Sequence, residues 1–200
     1  MSIARSDFSI IRDWIPPKAK VLDLGCGDGT LLAKLRDTRD IDGYGLEIDH
    51  DLITQCLEKG VSAIEQDLDK GLSNITDNSF DYVIMTQALQ AVEKPHLVLS
   101  EMLRVGREAI ITFPNFGYWQ VRSYLFFKGR MPISKRLPYQ WYDTPNIHLC
   151  SVRDFDAFCR ENNYKILERE VLNHHHESNW ATRLLPNFYG ELAIYRVTLQ

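Results

Sequence analysis

Val21-Leu22-Asp23-Leu24-Gly25-Cys26-Gly27-Asp28-Gly29 decides how this chain folds. A short apolar strand stops in a glycine-rich turn, and a helical pattern opens at Thr30 with Leu31, Leu32 and Leu35 on one side. Strand, glycine turn and helix N-terminus together aim backbone N–H groups at a nucleoside-type cofactor. An ordinary tight βα turn is the plain alternative, but it does not call for three glycines in five residues with an acid at the mouth.

Asp23 narrows the choice of cofactor. In a dinucleotide site the pyrophosphate lies over this turn, and a carboxylate two residues before the first glycine would repel it. The third position of the dinucleotide fingerprint, after Gly25 and Gly27, is Thr30 rather than Gly or Ala. S-adenosylmethionine carries no phosphate, and its ammonium group can pair with such a carboxylate.

The pattern spreads in both directions from this motif. Residues 6–15 form an amphipathic helix (Phe8, Ile11, Trp14, Ile15) stopped by Pro16-Pro17. Strand Val21–Leu24 precedes helix 30–36; strand Tyr44–Ile48 precedes a helix over 49–59 closed by Gly60. Strands follow at Ser62–Gln66, Phe80–Met85 and Ala109–Phe113, with a helix at His96–Val105. Val152–Asn162 reads as helix, and Lys165–Leu172 and Glu191–Leu199 as closing strands joined by a long loop, hence antiparallel. Alternating strands and helices predict an α/β, Rossmann-like, doubly wound and mostly parallel sheet. With 200 residues and no repeat or linker, residues 1–200 read as one domain.

Composition excludes several classes. Hydrophobic content of 44%, charged content of 25% and net charge −4 are globular values that give no general attraction to nucleic acid or anionic membrane. No stretch approaches the roughly 18 apolar residues of a membrane span, and the N-terminal residues lack a signal-peptide core. Cys26, Cys56, Cys150 and Cys159 contain no C-x-x-C pair and read as reduced thiols in a cytoplasmic protein.

Ligands of a doubly wound sheet bind at the carboxyl ends of the strands. Glu47 ends the second strand, 20 residues after Gly27, where a carboxylate can accept from both ribose hydroxyls; a solvated strand-end acid is the alternative. Asp67, followed by Leu68, can accept from the adenine amino group, or Gln66-Asp67-Leu68-Asp69 is a polar turn. Asp81 reads as structural. Gln87, leaving the fourth strand, borders the methionine portion. The candidate cofactor residues are Asp23, Gly25, Cys26, Gly27, Glu47, Ile48, Asp67, Leu68 and Gln87.

Over about residues 18–115 these motifs resemble the class I S-adenosylmethionine-dependent methyltransferases. That resemblance implies a seven-stranded sheet with one antiparallel strand. Catalysis is harder to read. An alcohol or phenol acceptor calls for a nearby base, yet Thr86-Gln87-Ala88-Leu89-Gln90-Ala91-Val92 offers no His, Asp or Glu. The Asn/Asp-Pro-Pro-aromatic signature of amino-group methyltransferases is missing, and Pro114-Asn115 is no substitute. No catalytic residue is assigned. Neither is a metal ligand: His174-His175-His176 lacks the usual spacing, and His96 and His148 read as structural.

Phe113–Tyr142 holds ten of the chain's 22 aromatics, and Ala109–Tyr142 holds five basic residues (Arg122, Lys128, Arg130, Lys135, Arg136) and no acid. Four readings stand: a lid over an acceptor pocket built from Phe116, Tyr118, Trp119 and Tyr124; a protein-docking face; a nucleic-acid surface, disfavoured by overall charge; or an amphipathic helix over 117–128 packing its aromatics on the core.

Longer segments resemble the methionine-biosynthesis MetW family: Leu24–Gly29, Tyr44–Asp49, Gln66–Asp69, Thr112-Phe113-Pro114-Asn115-Phe116-Gly117-Tyr118-Trp119, Asn146-Ile147-His148 and Phe188–Tyr195. That resemblance implies a bacterial cytoplasmic protein with a pocket for S-adenosylmethionine or S-adenosylhomocysteine and homoserine O-acyltransferase as its partner. The implied role is support of that acyltransferase; an active methyltransferase on an unidentified small molecule is the alternative.

Overall fold

In the computed structural model, residues 6–134, 137–145 and 147–200 are described. The elements run α1 (Ser6–Trp14), β1 (Lys20–Leu24), α2 (Thr30–Arg39), β2 (Asp42–Glu47), α3 (His50–Glu58), β3 (Ser62–Glu65), β4 (Phe80–Thr86), α4 (Pro95–Val105) and β5 (Gly106–Pro114). They continue with α5 (Trp119–Lys128), α6 (Val152–Glu161), β6 (Tyr164–Leu172), α7 (Trp180–Leu184), α8 (Pro186–Tyr189) and β7 (Leu192–Leu199).

The seven strands form one sheet ordered β3-β2-β1-β4-β5-β7-β6. β1 to β5 pair in parallel, and β7 runs antiparallel to both β5 and β6. Strand order reverses between β1 and β4, which places the ligand crevice at their carboxyl ends.

Side-chain alternation along the strands builds two cores. Val21, Ile84 and Ile110 face α1 to α3, where Ile11, Leu31, Leu32, Leu35 and Cys56 are buried. Leu22, Leu24, Val83, Met85, Ile111 and Phe113 face α4 and α6, meeting Leu99, Met102 and Phe155. Helix starts are well marked. Asp49 caps α3 by accepting from the Asp51 and Leu52 N–H groups. Ser151 and Asp154 form a capping box on α6, and Pro95 opens α4.

Two expectations change. The 173–191 connection contains α7 and α8, each about one turn and too short to impose a periodicity. Of the four readings of the aromatic segment, the helix that lays its aromatics on the core is not what forms: α5 has Val121 as its buried residue, while Phe126 and Phe127 are 82% and 77% exposed. Tyr118, just before α5, is the aromatic that packs inward. Lys135, Arg136 and Asn146 lie outside the described residues. Among the described residues no helix is long and apolar enough to cross a membrane.

Candidate functional site

At the end of β1 the backbone N–H groups of Gly25 and Cys26 both donate to the Leu46 carbonyl, at 2.8 and 3.1 Å. The loop therefore bends over the end of β2. Gly25, Gly27 and Gly29 have φ of 67°, 57° and 72°, the left-handed region that side chains disfavour. A Cβ built on Gly27 would meet nothing within 4 Å, so the space above the loop is open. A Cβ on Gly25 would sit 3.2 Å from the Ala88 Cβ, which puts the segment after β4 on the loop's other flank.

Glu47 is 9% exposed and reaches back across this loop. Its Oε2 accepts from the Gly27 N–H at 2.8 Å, and Oε1 accepts from Ile48 N–H at 2.8 Å and Asp49 N–H at 3.2 Å. A carboxylate can accept about four hydrogen bonds, so capacity remains on a group whose orientation is fixed by three backbone donors. Asp23, 1% exposed, lies on the Val21 face of β1. Burial above all, then the Asp23 carboxylate and the Cys56 thiol, push the Cys26 thiol far up its scale. Cys26 and Cys56 lie 3.8 Å apart under the loop, and the Cys56 thiol donates to the Gly27 carbonyl at 3.1 Å.

Ile48, 59% exposed, follows Glu47 at the lip of β2. Asp67 caps a 3-10 turn over Leu68–Lys70, accepting from the Asp69 N–H at 3.0 Å, and its other oxygen lies 3.4 Å from the Lys70 ammonium. Leu68 is partly buried against the core. Gln87 adopts a left-handed φ of 56°, held by its N–H donating to the Thr112 carbonyl and hydroxyl at 2.9 and 3.1 Å. A non-glycine residue in that region is strained backbone of the sort that gathers at ligand sites. The glycine loop thus lies between Glu47 and the segment from Gln87 to Ala88, while Asp67 and Leu68 follow β3, the edge strand beyond β2.

Three residues of this region were not singled out by the sequence. Asp28 accepts from the Thr30 N–H at 3.1 Å and hydroxyl at 2.8 Å, and Lys59 from the far end of α3 binds Asp28 and the Thr30 hydroxyl. Burial works to raise the Asp28 carboxyl, but the bonds from Lys59 and Thr30 outweigh it and leave its pKa lowered. Only folding brings Lys59 to the loop, so nothing in the local sequence marks it.

Asn115 is wholly occupied with structure. Its amide N–H groups donate to the Gly190 and Asn187 carbonyls at 2.7 and 3.2 Å, and its oxygen accepts from Gly117 and Val152 N–H at 2.9 and 3.2 Å. Arg122 donates to the Gly117 carbonyl and lies 5.8 Å over the Phe188 ring. Two of the segments that carry the family resemblance, 112–119 and 188–195, are therefore halves of one latch. Asp81 accepts from the Lys20 N–H at 2.9 Å, a structural role. His148 donates from Nε2 to the Glu93 carbonyl at 3.0 Å. Among the described residues no three His, Cys, Asp or Glu side chains could together hold a metal ion.

This sheet order, with one antiparallel strand and a left-handed glycine loop at the switch point, defines the class I S-adenosylmethionine-dependent methyltransferase fold. The family model described as "Methionine biosynthesis protein MetW" matches residues 5–197, and the chain belongs to that family. A relative from Rhodopirellula baltica, the bifunctional methionine biosynthesis protein MetXA/MetW, is 40% identical over 157 residues. The match covers 74% of this chain and 25% of that relative, so the chain spans about a quarter of its length.

Solved structures share the fold at low identity. An S-adenosylmethionine-dependent methyltransferase from Mesorhizobium loti superposes with TM-score 0.71 at 15% identity, over 97% of this chain and 98% of the other. A TehB-like methyltransferase from Corynebacterium glutamicum gives 0.65 at 16%, over 99% and 89%. The [4+2]-cyclase SpnF gives 0.66 at 17%, over 97% and 80%. A cyclase on this fold illustrates that architecture alone does not specify methyl transfer.

Proposed function

We propose that this chain is an accessory subunit of homoserine O-acyltransferase that binds S-adenosylmethionine in the glycine-loop crevice. The observation that carries the reading is the 40%-identical relative named as MetXA and MetW in one chain, because fusion of two activities is expected of domains that work side by side. The MetXA half is taken here as the acyltransferase that the family resemblance implies.

The crevice fits the cofactor. Left-handed glycines leave the space above Gly27 open, Glu47 is oriented with acceptor capacity to spare for ribose hydroxyls, and buried Asp23 supplies a carboxylate for an ammonium. Asp67 and Leu68 would meet the adenine edge and face, Ile48 its other side, and Gln87 the methionine portion. The bound cofactor would carry an electrophilic sulfonium methyl. The residues beside it are equipped to hold, not to deprotonate: Thr86 to Val92 contains no group able to take a proton from an acceptor.

The test is acylation of homoserine by the cognate acyltransferase, with and without this chain, at saturating substrates. A rise in rate of severalfold is expected, and an unchanged rate together with no co-purification at micromolar concentration overturns the reading. Repeating the assay with S-adenosylmethionine reads coupling, which requires the cofactor to favour one state of the complex over the other. The runner-up, methyl transfer to a small molecule, draws on the same crevice. It predicts label passing from the cofactor to an acceptor in extract, abolished by Asp23→Ala.

A further inference from the structure

A groove elsewhere on the surface is built from stretches far apart in sequence. The first turn of α6, Arg122 of α5 and residues 184–188 of the α7–α8 pair line an open space of ≈ 330 Å³. The seams between these elements are bonded. The Asn187 side-chain oxygen accepts from the Arg153 N–H at 3.3 Å, and the Arg122 guanidinium lies 5.8 Å over the Phe188 ring. None of the residues assigned to the glycine-loop crevice lines the groove.

Its apolar surface continues outward on two sides. Leu184 is 70% exposed, and Trp180, four residues earlier on the same side of α7, is 78% exposed. On α5, Phe126 stands one turn beyond Arg122. A small molecule seated in the groove would leave Trp180 and Phe126 bare. Covering them together with Leu184 takes a macromolecular surface.

Charge narrows the choice of that surface. Two guanidinium groups line the groove, Arg122 and Arg153, against one carboxylate, Asp156. That carboxylate is already matched, because it accepts from the Arg169 guanidinium and from the Tyr195 hydroxyl, each at 2.8 Å. Arg122 gives its Nε proton to the Gly117 carbonyl and retains its terminal N–H groups. Among the described residues the Arg153 guanidinium has no hydrogen bond or ion pair. The groove is therefore a cationic spot on a chain of net charge −4. Its complement carries carboxylates, which a guanidinium binds through paired N–H groups. Nucleic acid fits less well: Leu184, Leu185 and Pro186 offer aliphatic surface and no side-chain donor to a run of phosphates.

We propose that this groove seats a segment of a partner protein in which a large apolar side chain is flanked by carboxylates. The apolar group would lie against Leu184, Leu185 and Phe188, and the carboxylates would meet Arg122 and Arg153. The inference rests on the proposed function, under which the segment belongs to the acyltransferase.

The test is the affinity of the whole chain for the cognate acyltransferase, measured by calorimetry at several salt concentrations. Arg153→Glu and Leu184→Ser, both at exposed positions, are each expected to weaken binding at least tenfold with unchanged thermal midpoints. Binding should weaken as salt rises, and less steeply for Arg153→Glu. Lys34→Glu makes the same change in net charge on α2, in the layer across the sheet, and should bind as the wild type does. Undiminished binding of both groove variants overturns the proposal and leaves the accessory role standing; a wild-type chain that does not bind removes both. An equal loss in Lys34→Glu also overturns it, since charge alone would then set the affinity. So does retention of the chain on phosphatidylserine vesicles that Arg153→Glu and Leu184→Ser abolish, which would assign the groove to a lipid surface.

Discussion

At the scale of single residues, the strongest commitments are buried polar groups whose every bond is spoken for. Asn115 satisfies two N–H groups and two carbonyls from three separate stretches of chain. Asn115→Ala leaves those groups facing each other without partners, and a loss of about 2–4 kcal/mol is expected in urea unfolding. Gly190→Ala should be at least as damaging, since a Cβ there would lie 1.9 Å from Val171 Cγ1 and 2.6 Å from the Pro186 carbonyl. Glu47→Gln is a milder change. The amide keeps one acceptor oxygen but turns its NH2 against a backbone N–H that the carboxylate had satisfied, so S-adenosylmethionine binding should weaken by about tenfold or more by calorimetry, and the thermal midpoint should fall by about 4–8 °C. The sequence made Glu47 a candidate through its offset from Gly27. Its grip on the Gly27 N–H was not legible, because that contact depends on how β2 sits beside β1.

Elements tell a similar story about what local pattern can and cannot reveal. β5 is a run of Ala109, Ile110, Ile111, Thr112 and Phe113, and β-branched residues between turn signals declare a strand regardless of context. The helices α7 and α8 escaped notice because each is about a turn long and is marked only at its start, by the Asn179 cap of α7 and by Pro186 as the first residue of α8. α5 was left with four open readings for a different reason. Aromatic residues at helical spacing ordinarily mean core, yet Phe126 and Phe127 project into solvent. Under the proposed function, this exposed pair is the expected contact for the acyltransferase. Phe126→Ser with Phe127→Ser is expected to leave the thermal midpoint nearly unchanged while weakening co-purification with the acyltransferase at least tenfold. Loss of stability instead would mean that these rings pack on the protein's own core.

For the molecule as a whole, the buried thiols set an alkaline limit. Burial chiefly pushes Cys150 and Cys159 up to about 12, from an ordinary value of 9.0, and raises Cys26 and Cys56 as well. The folded form therefore holds protons that the unfolded chain releases. The resulting stability is fully present below pH 9 and is lost as pH rises toward 12. Urea midpoints should fall from pH 9 upward, with thiolate absorbance at 240 nm appearing as the protein unfolds; thiolate absorbance developing near pH 9 in the folded protein would contradict it. The same burial makes these thiols poor nucleophiles.

The place of β7 in the sheet bears on how the chain is made. It is the strand synthesised after all the others, yet it lies inside the sheet, between β5 and β6. Until Leu192–Leu199 has emerged from the ribosome, β5 carries a bare edge of unpaired backbone beside Ile110, Ile111 and Phe113. Such an edge is a template for pairing with other chains. Whatever delays the docking of β7 thus leaves the sheet open at its most adhesive seam, between β5 and β6.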